Sequence, residues 1–554
     1  MNKFIKDTAI YLCEKIGPRP PGSRAEEAAS LFIRDIFKNL GIEAEIESFE
    51  SPSHKAVQSA LKLAEGSVEF PSFPVLFSPA ADAGGFLTVM GRNEMKENSL
   101  KGRIGLWIPE QDGGISSRNS TVLELEGKGL EALIVVSPCY YRINTKIVRE
   151  PGLKRMPVVS VSFASASEIM RKPGEKFTVK VTGEKYDREQ SRNVVAKIPG
   201  TGRNWIFAGA HYDSAPFCQG ATDNAGGTAV LLGIAEILKN RKLSAGVYLA
   251  AFGSEEYGGT DGTGRGPWDF LKRRKDMLES CLGYINIDSV GCIPGNPSIY
   301  AGGPGKFRKT VLSASTVLDY LYRGKTSGPD SDFGPAEKHG IPYAWFTDML
   351  FPLLHTPEDN LKHLDAEILG SYAEDIAAVI GALSETGVPY PAVKNNGITV
   401  RQAKHEDIEA ICDITSAAFG PVSSARMRQD FFGEKLGGKN WDEYKRAEVK
   451  KACFRNIYNV IVAEKENKVA GYATYGLDEE AGIATIGNNA VHPDSQGMGI
   501  GKMMQQEVKR RMEEEGYGKF SVSTLSNDIA AQKIYEKLGY IKCIESYSYL
   551  KKGG

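Results

Sequence analysis

The stretch Trp205-Ile-Phe-Ala-Gly-Ala-His211-Tyr-Asp213, followed by Gly220-Ala-Thr-Asp223-Asn-Ala-Gly-Gly and then by Ala250-Ala-Phe-Gly-Ser-Glu255-Glu256, decides how this chain is read. An apolar run ending in His-x-Asp reads as a buried strand that delivers polar groups at its carboxyl end, where open α/β sheets place their sites. Neutral imidazole and carboxylate are the ligands that catalytic zinc takes, and a carboxylate has two oxygens with which to bridge two ions. His211 and Asp223 fit those roles. Asp213, two residues beyond His211, is expected to reach the other ring nitrogen and fix its tautomer. Neighbours on an extended segment point apart, so of Glu255 and Glu256 one can bind metal while the other takes a proton from water.

Two further segments complete the donor set. Gly283-Tyr-Ile-Asn-Ile-Asp288 is a second short apolar run ending in an acid, and Leu353-Leu-His355-Thr-Pro-Glu-Asp359 offers a histidine in a loop. The order His-x-Asp, Thr-Asp-Asn-Ala-Gly-Gly, Glu-Glu, Asn-Ile-Asp, Ser331-Asp332 and His355-Thr-Pro resembles the co-catalytic dizinc aminopeptidases of the aminopeptidase Y and leucyl-aminopeptidase kind. The opening Ile16-Gly-Pro-Arg-Pro-Pro-Gly-Ser23 is similar to that family's N-terminal signature. The resemblance implies that His211 and Asp288 hold one zinc, Glu256 and His355 the other, that Asp223 bridges them, and that Glu255 is the general base. Manganese or cobalt are alternative ions for such a donor set. The implied substrates are peptides with a free N-terminus.

Outward from this core, a chain of 554 residues exceeds what one hydrophobic core usually serves. A formal net charge of −1 with no long basic run predicts neither nucleic acid nor membrane as partner. Lys6 and Asp7 interrupt the N-terminal apolar residues, and eight cysteines without paired spacing suit reduced thiols, so the expected location is cytoplasmic. Residues 1–47 and 190–392 are expected to form an α/β catalytic domain, a mixed sheet with helices on both faces. Residues 48–189, with short strand-like runs such as Ala132-Leu-Ile-Val-Val and Met156-Pro-Val-Val-Ser-Val, read as a mostly-β insert similar to a protease-associated domain, with substrate gating as its expected role. Gly226 onward has an apolar helical face whose N-terminal dipole favours an ionised Asp223. Gly258-Gly-Thr-Asp-Gly-Thr-Gly reads as a loop at the mouth of the site. Of the aromatic residues Tyr343, Trp345, Phe346 and Phe351 most are expected in the core, with Phe333 as the candidate for a side-chain pocket.

Gly387-Val-Pro-Tyr-Pro-Ala-Val-Lys-Asn-Asn-Gly marks a boundary, after which residues 397–554 form a second domain. Its own candidate site is Ala484-Thr-Ile-Gly-Asn-Asn-Ala-Val491-His-Pro leading to Gln496-Gly497-Met498-Gly499-Ile500-Gly501-Lys502 and a long amphipathic helix. A glycine loop feeding a helix N-terminus turns backbone N–H groups toward an anion, which suits a pyrophosphate. The spacing fits neither a dinucleotide fingerprint nor a P-loop. Val-His-Pro, Gln-x-x-Gly-x-Gly and Ser526-Asn527-Asp-Ile-Ala-Ala-Gln-Lys-Ile-Tyr535 together resemble the GNAT N-acetyltransferases. That resemblance implies acetyl-CoA, with its pyrophosphate on Gly497 to Lys502 and its thioester beside Val491. Asn527 and Tyr535 match the downstream motif, and Tyr535 is the implied proton donor to the departing thiolate, with a free amine as acetyl acceptor. Two other readings of the front half are a glutaminyl-cyclase-like acyltransferase with one zinc and a non-catalytic binding module.

Overall fold

The computed structural model describes residues 1–110, 115–138, 142–144, 148, 152–257, 265–326, 331–348, 353–387, 390–545 and 548–551. The loop Gly258–Gly264 and Phe351 therefore lie outside the described residues. The chain forms two compact units. The first comprises Met1–Ala301, Val311–Pro335 and Tyr343–Thr386, and the second comprises Gly302–Thr310, Ala336–Pro342 and Gly387–Gly554.

In the first unit, continuous apolar runs become parallel strands buried on both faces, as their composition requires. Trp205–His211 lies between Gly246–Phe252 and Cys281–Ile287, parallel to both, and Cys281–Ile287 is parallel to Tyr343–Asp348. Cys281–Ile287 is buried throughout. Lys176–Ile198 adds to Gly246–Phe252 in the antiparallel sense, which makes the sheet mixed. The helices Arg24–Asn39, Gly227–Leu238 and Ala366–Ser384 cover it, and ten of the twelve residues of Gly227–Leu238 are buried. Ser23 caps Arg24–Asn39, its Oγ accepting from Glu26 N at 3.0 Å, while Glu26 Oε2 accepts from Gly22 N at 2.7 Å.

Residues 48–189, expected to form a mostly-β insert, are continuous with this sheet. Ala44–Leu63 and Lys176–Ile198 run antiparallel across both proposed boundaries, from Ala44 opposite Ala196 to Leu63 opposite Phe177. Ala81–Val89 joins Lys176–Ile198, and the parallel strands Arg103–Trp107, Ala132–Val136 and Val158–Val161 follow in order. Helix Ile115–Gly127 connects the first two of these, and Phe163–Ile169 leads from Val158–Val161 into Lys176–Ile198. Leu61, Leu106, Ile134, Val159 and Phe177 form part of its own apolar core.

The second unit carries a sheet in the order Val393–Asn395, Ile398–Gln402, Val460–Lys465, Lys468–Asp478, Ile483–Val491, Phe520–Val522. All neighbours are antiparallel except the last pair, which is parallel and matched only from Ala484 opposite Phe520 to Ile486 opposite Val522. Residues 487–491 extend beyond that short ladder. Among the described residues no helix is long and apolar enough to cross a membrane.

Candidate metal centre and glycine-loop site

Every predicted ligand in the first unit sits at or beyond the carboxyl end of a parallel strand. His211 ends Trp205–His211, Glu256 follows Gly246–Phe252, Asp288 follows Cys281–Ile287, and His355 follows Tyr343–Asp348. Asp223 comes from the kinked turn Ala221–Gly226, just ahead of the helix Gly227–Leu238. These residues meet as two groups of three, His211 with Asp223 and Asp288, and Asp223 with Glu256 and His355.

The two oxygens of Asp223 serve different groups. Oδ1 is 3.0 Å from His211 Nε2 and Oδ2 is 3.2 Å from His355 Nε2. His211 Nε2 lies 3.2 Å from Asp288 Oδ1, and His355 Nε2 lies 3.4 Å from Glu256 Oε2. A tetrahedral ion with bonds of about 2.0–2.2 Å separates its ligand atoms by roughly 3.3–3.6 Å, so both donor sets are close to the size zinc needs. The donor types and the spacing fit a pair of ions sharing one carboxylate.

Sharp turns at the ligands bring this about. Ser254, Ser289, His355 and Phe217 all adopt a left-handed backbone, with φ of 57°, 60°, 57° and 63°. Such residues cost energy and persist where the surrounding structure fixes them. Here one precedes Glu255, one follows Asp288, one is a ligand itself, and one lies in the loop between His211 and Asp223.

Hydrogen bonds fix the remaining freedom. Ser331 Oγ donates to Asp288 Oδ2 at 2.5 Å and receives from Asn286 Nδ2 at 2.6 Å, while Ser289 Oγ donates to Asp288 Oδ1 at 3.2 Å. Thr228 Oγ1 donates to the His211 carbonyl at 2.9 Å. Asp213 flanks the other ring nitrogen of His211 and has a second role besides. His211 Nδ1 is 3.2 Å from the Asp213 backbone carbonyl and 3.5 Å from Asp213 Oδ1, so the carbonyl is the nearer partner. The Asp213 carboxylate also accepts from the backbone N–H of Glu255 at 3.2 Å and of Glu256 at 3.0 Å. It therefore holds the paired acids as well as flanking the imidazole.

Burial favours the neutral form of His211, but the Asp288 charge and hydrogen bonds with Asp213, Asp223 and Asp288 outweigh it and hold its pKa well above the ordinary value. Burial likewise opposes ionisation of Asp223, yet hydrogen bonds from His211 and His355 keep its pKa well below the usual carboxylate range. These imidazoles would give up their protons to hold a cation, which would then supply the positive charge facing Asp223. Burial drives the carboxyl of Asp332 well above its ordinary pKa.

Three features escape residue-type reasoning. Arg19, fully buried, donates to five backbone carbonyls: Tyr212 at 2.8 Å, Leu12 at 3.0 Å, Gly17 at 2.8 Å, Gln219 at 2.9 Å and Gly220 at 3.3 Å. It ties the Pro/Gly-rich signature to the loop between His211 and Asp223. Asp359 accepts from Thr222 N and Asp223 N, at 2.9 and 3.1 Å. Phe333 does not line a pocket: it is fully buried, stacked on Tyr343 at 4.2 Å and on Trp345 at 5.6 Å. Aromatic contacts near the site come from the insert instead, where Phe77 packs edge-on against Tyr257 at 5.2 Å and Phe73 against Phe217 at 5.1 Å.

In the second unit, Gly497 and Gly499 both have φ of 80°, and a Cβ on either would meet nothing within 4 Å. These left-handed glycines open a cradle ahead of the helix Ile500–Glu514. Its backbone ladder starts with Met503 N–H to Gly499 O, so the N–H groups of Ile500, Gly501 and Lys502 precede the first helical bond. Gln496 Nε2 reaches the Val491 carbonyl at 3.4 Å, and a Cβ on Gly501 would lie 3.8 Å from Val491. Loop and strand end thus meet. Tyr535, 7% exposed, has its hydroxyl 3.1 Å from Asn489 Nδ2, two residues before Val491, and burial raises its pKa. Asn527 turns elsewhere, donating to the Pro421 carbonyl at 3.1 Å.

Comparisons with known proteins bear on both units. Residues 193–380 match the model of peptidase family M28, and residues 424–540 match that of the acetyltransferase (GNAT) family. Aminopeptidase YwaD of Bacillus subtilis is 26% identical over 407 residues, spanning 68% of this chain and 84% of its own length. In fold, the chain is similar to BSAP, a zinc aminopeptidase from Bacillus subtilis, with a TM-score of 0.57 and 22% identity, covering 69% of this chain and 94% of that one. It is also similar to a peptidase M28 precursor from Shewanella amazonensis, with a TM-score of 0.59 and 18% identity, covering 71% of this chain and 96% of that one.

Proposed function

We propose that this chain, which carries a peptidase family M28 domain followed by an acetyltransferase (GNAT) family domain, removes N-terminal residues from peptides and transfers acetyl groups to a free amine. The observation that carries the first activity is the pair of ligand groups sharing Asp223. A relative named as an aminopeptidase, aligned over most of its length, supports the substrate class.

In this reading His211 and Asp288 would hold one zinc and Glu256 and His355 the other, with Asp223 shared between the two groups. When bound, the ions lower the pKa of a water and polarise the scissile carbonyl. Glu255 receives the proton of the attacking water and delivers it to the leaving amine. Asp213 fixes the base by holding the Glu255 and Glu256 N–H groups, so the proton acceptor and a ligand are positioned by one carboxylate. A cyclase-like transferase with one zinc needs only one ligand group, which is why hydrolysis with two ions is the better reading.

In the second unit acetyl-CoA is the proposed donor. The N–H groups from Gly497 to Lys502 would receive its pyrophosphate, and Val491, at the strand end beside this loop, would adjoin its thioester. Tyr535, its hydroxyl held by Asn489, donates a proton to the departing thiolate. The first unit releases free α-amines, the chemical class that the second unit consumes.

The test is product analysis by mass spectrometry on peptides with free and with N-acetylated termini. Stepwise loss of N-terminal residues from the free peptides alone supports the reading. Internal cleavage, or equal cleavage of blocked peptides, contradicts it.

A further inference from the structure

The loop carrying the shared carboxylate is held from two sides by residues distant in sequence. On its approach, Arg19 donates to the carbonyls of Tyr212, Gln219 and Gly220, and Ser214 Oγ accepts from Arg19 N at 2.9 Å. On its exit, the fully buried Asp359 receives two consecutive backbone N–H groups, Thr222 on Oδ1 at 2.9 Å and Asp223 on Oδ2 at 3.1 Å. Asp359 lies four residues beyond His355, in the turn that delivers a ligand of the second group. The segment 355–359 therefore supplies a ligand to one ion and holds the backbone of the residue that both ions share.

We propose that Asp359 is a positioning residue that couples the two ion sites through the backbone of Asp223. The inference rests on the two-ion reading above. The carboxylate of Asp223 can meet His211 on one oxygen and His355 on the other only while its Cα is fixed, and two bonds from one planar acceptor fix two successive peptide planes. An order-disorder change in the segment 355–359 withdraws a ligand from one ion and loosens the bridge to the other. Loss of either contact weakens both sites together.

Asp359→Asn in the full chain tests this. It preserves volume but turns an N–H donor toward a backbone N–H. Zinc affinity is measured by competition with a chromophoric chelator, alongside turnover and thermal unfolding of the metal-free protein. The expected result is a loss on the order of 10–100-fold in affinity at both sites, the range typical for partners that orient metal ligands. Asp359→Glu, which keeps two acceptor oxygens, should recover part of it. Asp375→Asn is the control: Asp375 is equally buried and accepts from Thr316, Val317 and Leu318 N–H at 2.7, 2.8 and 3.0 Å, away from the ligand loop. A purely structural role would make the Asp359 and Asp375 variants behave alike, losing thermal stability while binding zinc with wild-type affinity, and that result overturns the inference. So does failure of both Asp359 variants to fold, which would make Asp359 a folding residue. If the wild type itself binds no zinc, the two-ion reading fails first, and the two failures are thereby distinguished.

Discussion

Glu26 is a carboxyl group kept out of water behind the Glu255–Glu256 turn: a Cβ on Gly253 would lie 2.5 Å from its Oε1. Burial raises its pKa from 4.5 to about 8, against hydrogen bonds from Ser191 and Gly22. A group that holds its proton more tightly when folded stabilises the fold fully below its unfolded pKa and loses that contribution as pH rises through the folded one. Stability of the metal-free front unit should therefore fall between pH 4.5 and about 8. Asp359, raised by burial to about 7, adds to the same trend. Glu26→Gln has no proton to lose, so its unfolding free energy from urea titrations should vary less with pH, by on the order of a few kcal/mol across that window. An unchanged slope in the variant would contradict this account. At this scale the ligands were legible because metal chemistry demands particular side chains at strand ends. Arg19, Asp359 and the second role of Asp213 were not, because these act through backbone N–H and C=O groups, which every residue type carries.

At the scale of elements, the boundaries expected near residues 48 and 189 fall inside long strands. The ladder from Ala44–Leu63 to Lys176–Ile198 crosses them with register shifts and no break, so composition gave no edge to read. The short strand Phe73–Pro74, paired with Val158–Val161, and the left-handed Phe77 just beyond it bring aromatic rings against Phe217 and Tyr257, which flank the ligands. An aromatic pair of this kind is worth about 1 kcal/mol. Phe73→Ala should shift the ratio of kcat/KM for bulky over small N-terminal residues upward on the order of fivefold, the equivalent of about 1 kcal/mol. An unaltered ratio would remove the insert from substrate selection. In the second unit, the glycine loop was legible from spacing because φ of 80° at Gly497 and Gly499 suits glycine. Gly499→Ala meets no neighbour but is strained by about 1–2 kcal/mol, so acetyl-CoA should bind roughly 5–30-fold more weakly by calorimetry. Wild-type affinity would place the cofactor elsewhere. The role of Asn527 was less legible, since a motif position does not reveal that its amide reaches Pro421.

For the whole molecule, the Pro, Gly and Asn cluster from Gly387 signalled a boundary, and the second unit resumes at that residue. The segments Gly302–Thr310 and Ala336–Pro342 also group with it, a consequence of contacts between residues far apart in sequence that no local pattern encodes. The two family matches, at residues 193–380 and 424–540, join a peptidase-family segment and an acetyltransferase-family segment in one chain. The proposed peptidase activity depends on the front unit holding two ions around Asp223 with Glu255 as the proton acceptor. The most direct measurement is turnover of the full chain on amino-acid anilides, with bound zinc counted in the wild type, in Glu255→Gln and in a chelated sample. The account predicts close to two zinc ions per chain in the first two, with turnover lost in Glu255→Gln by at least on the order of 100-fold and lost in the chelated sample until zinc is restored. A zinc-loaded wild type inert on every anilide, or a Glu255→Gln protein with wild-type turnover, would contradict it.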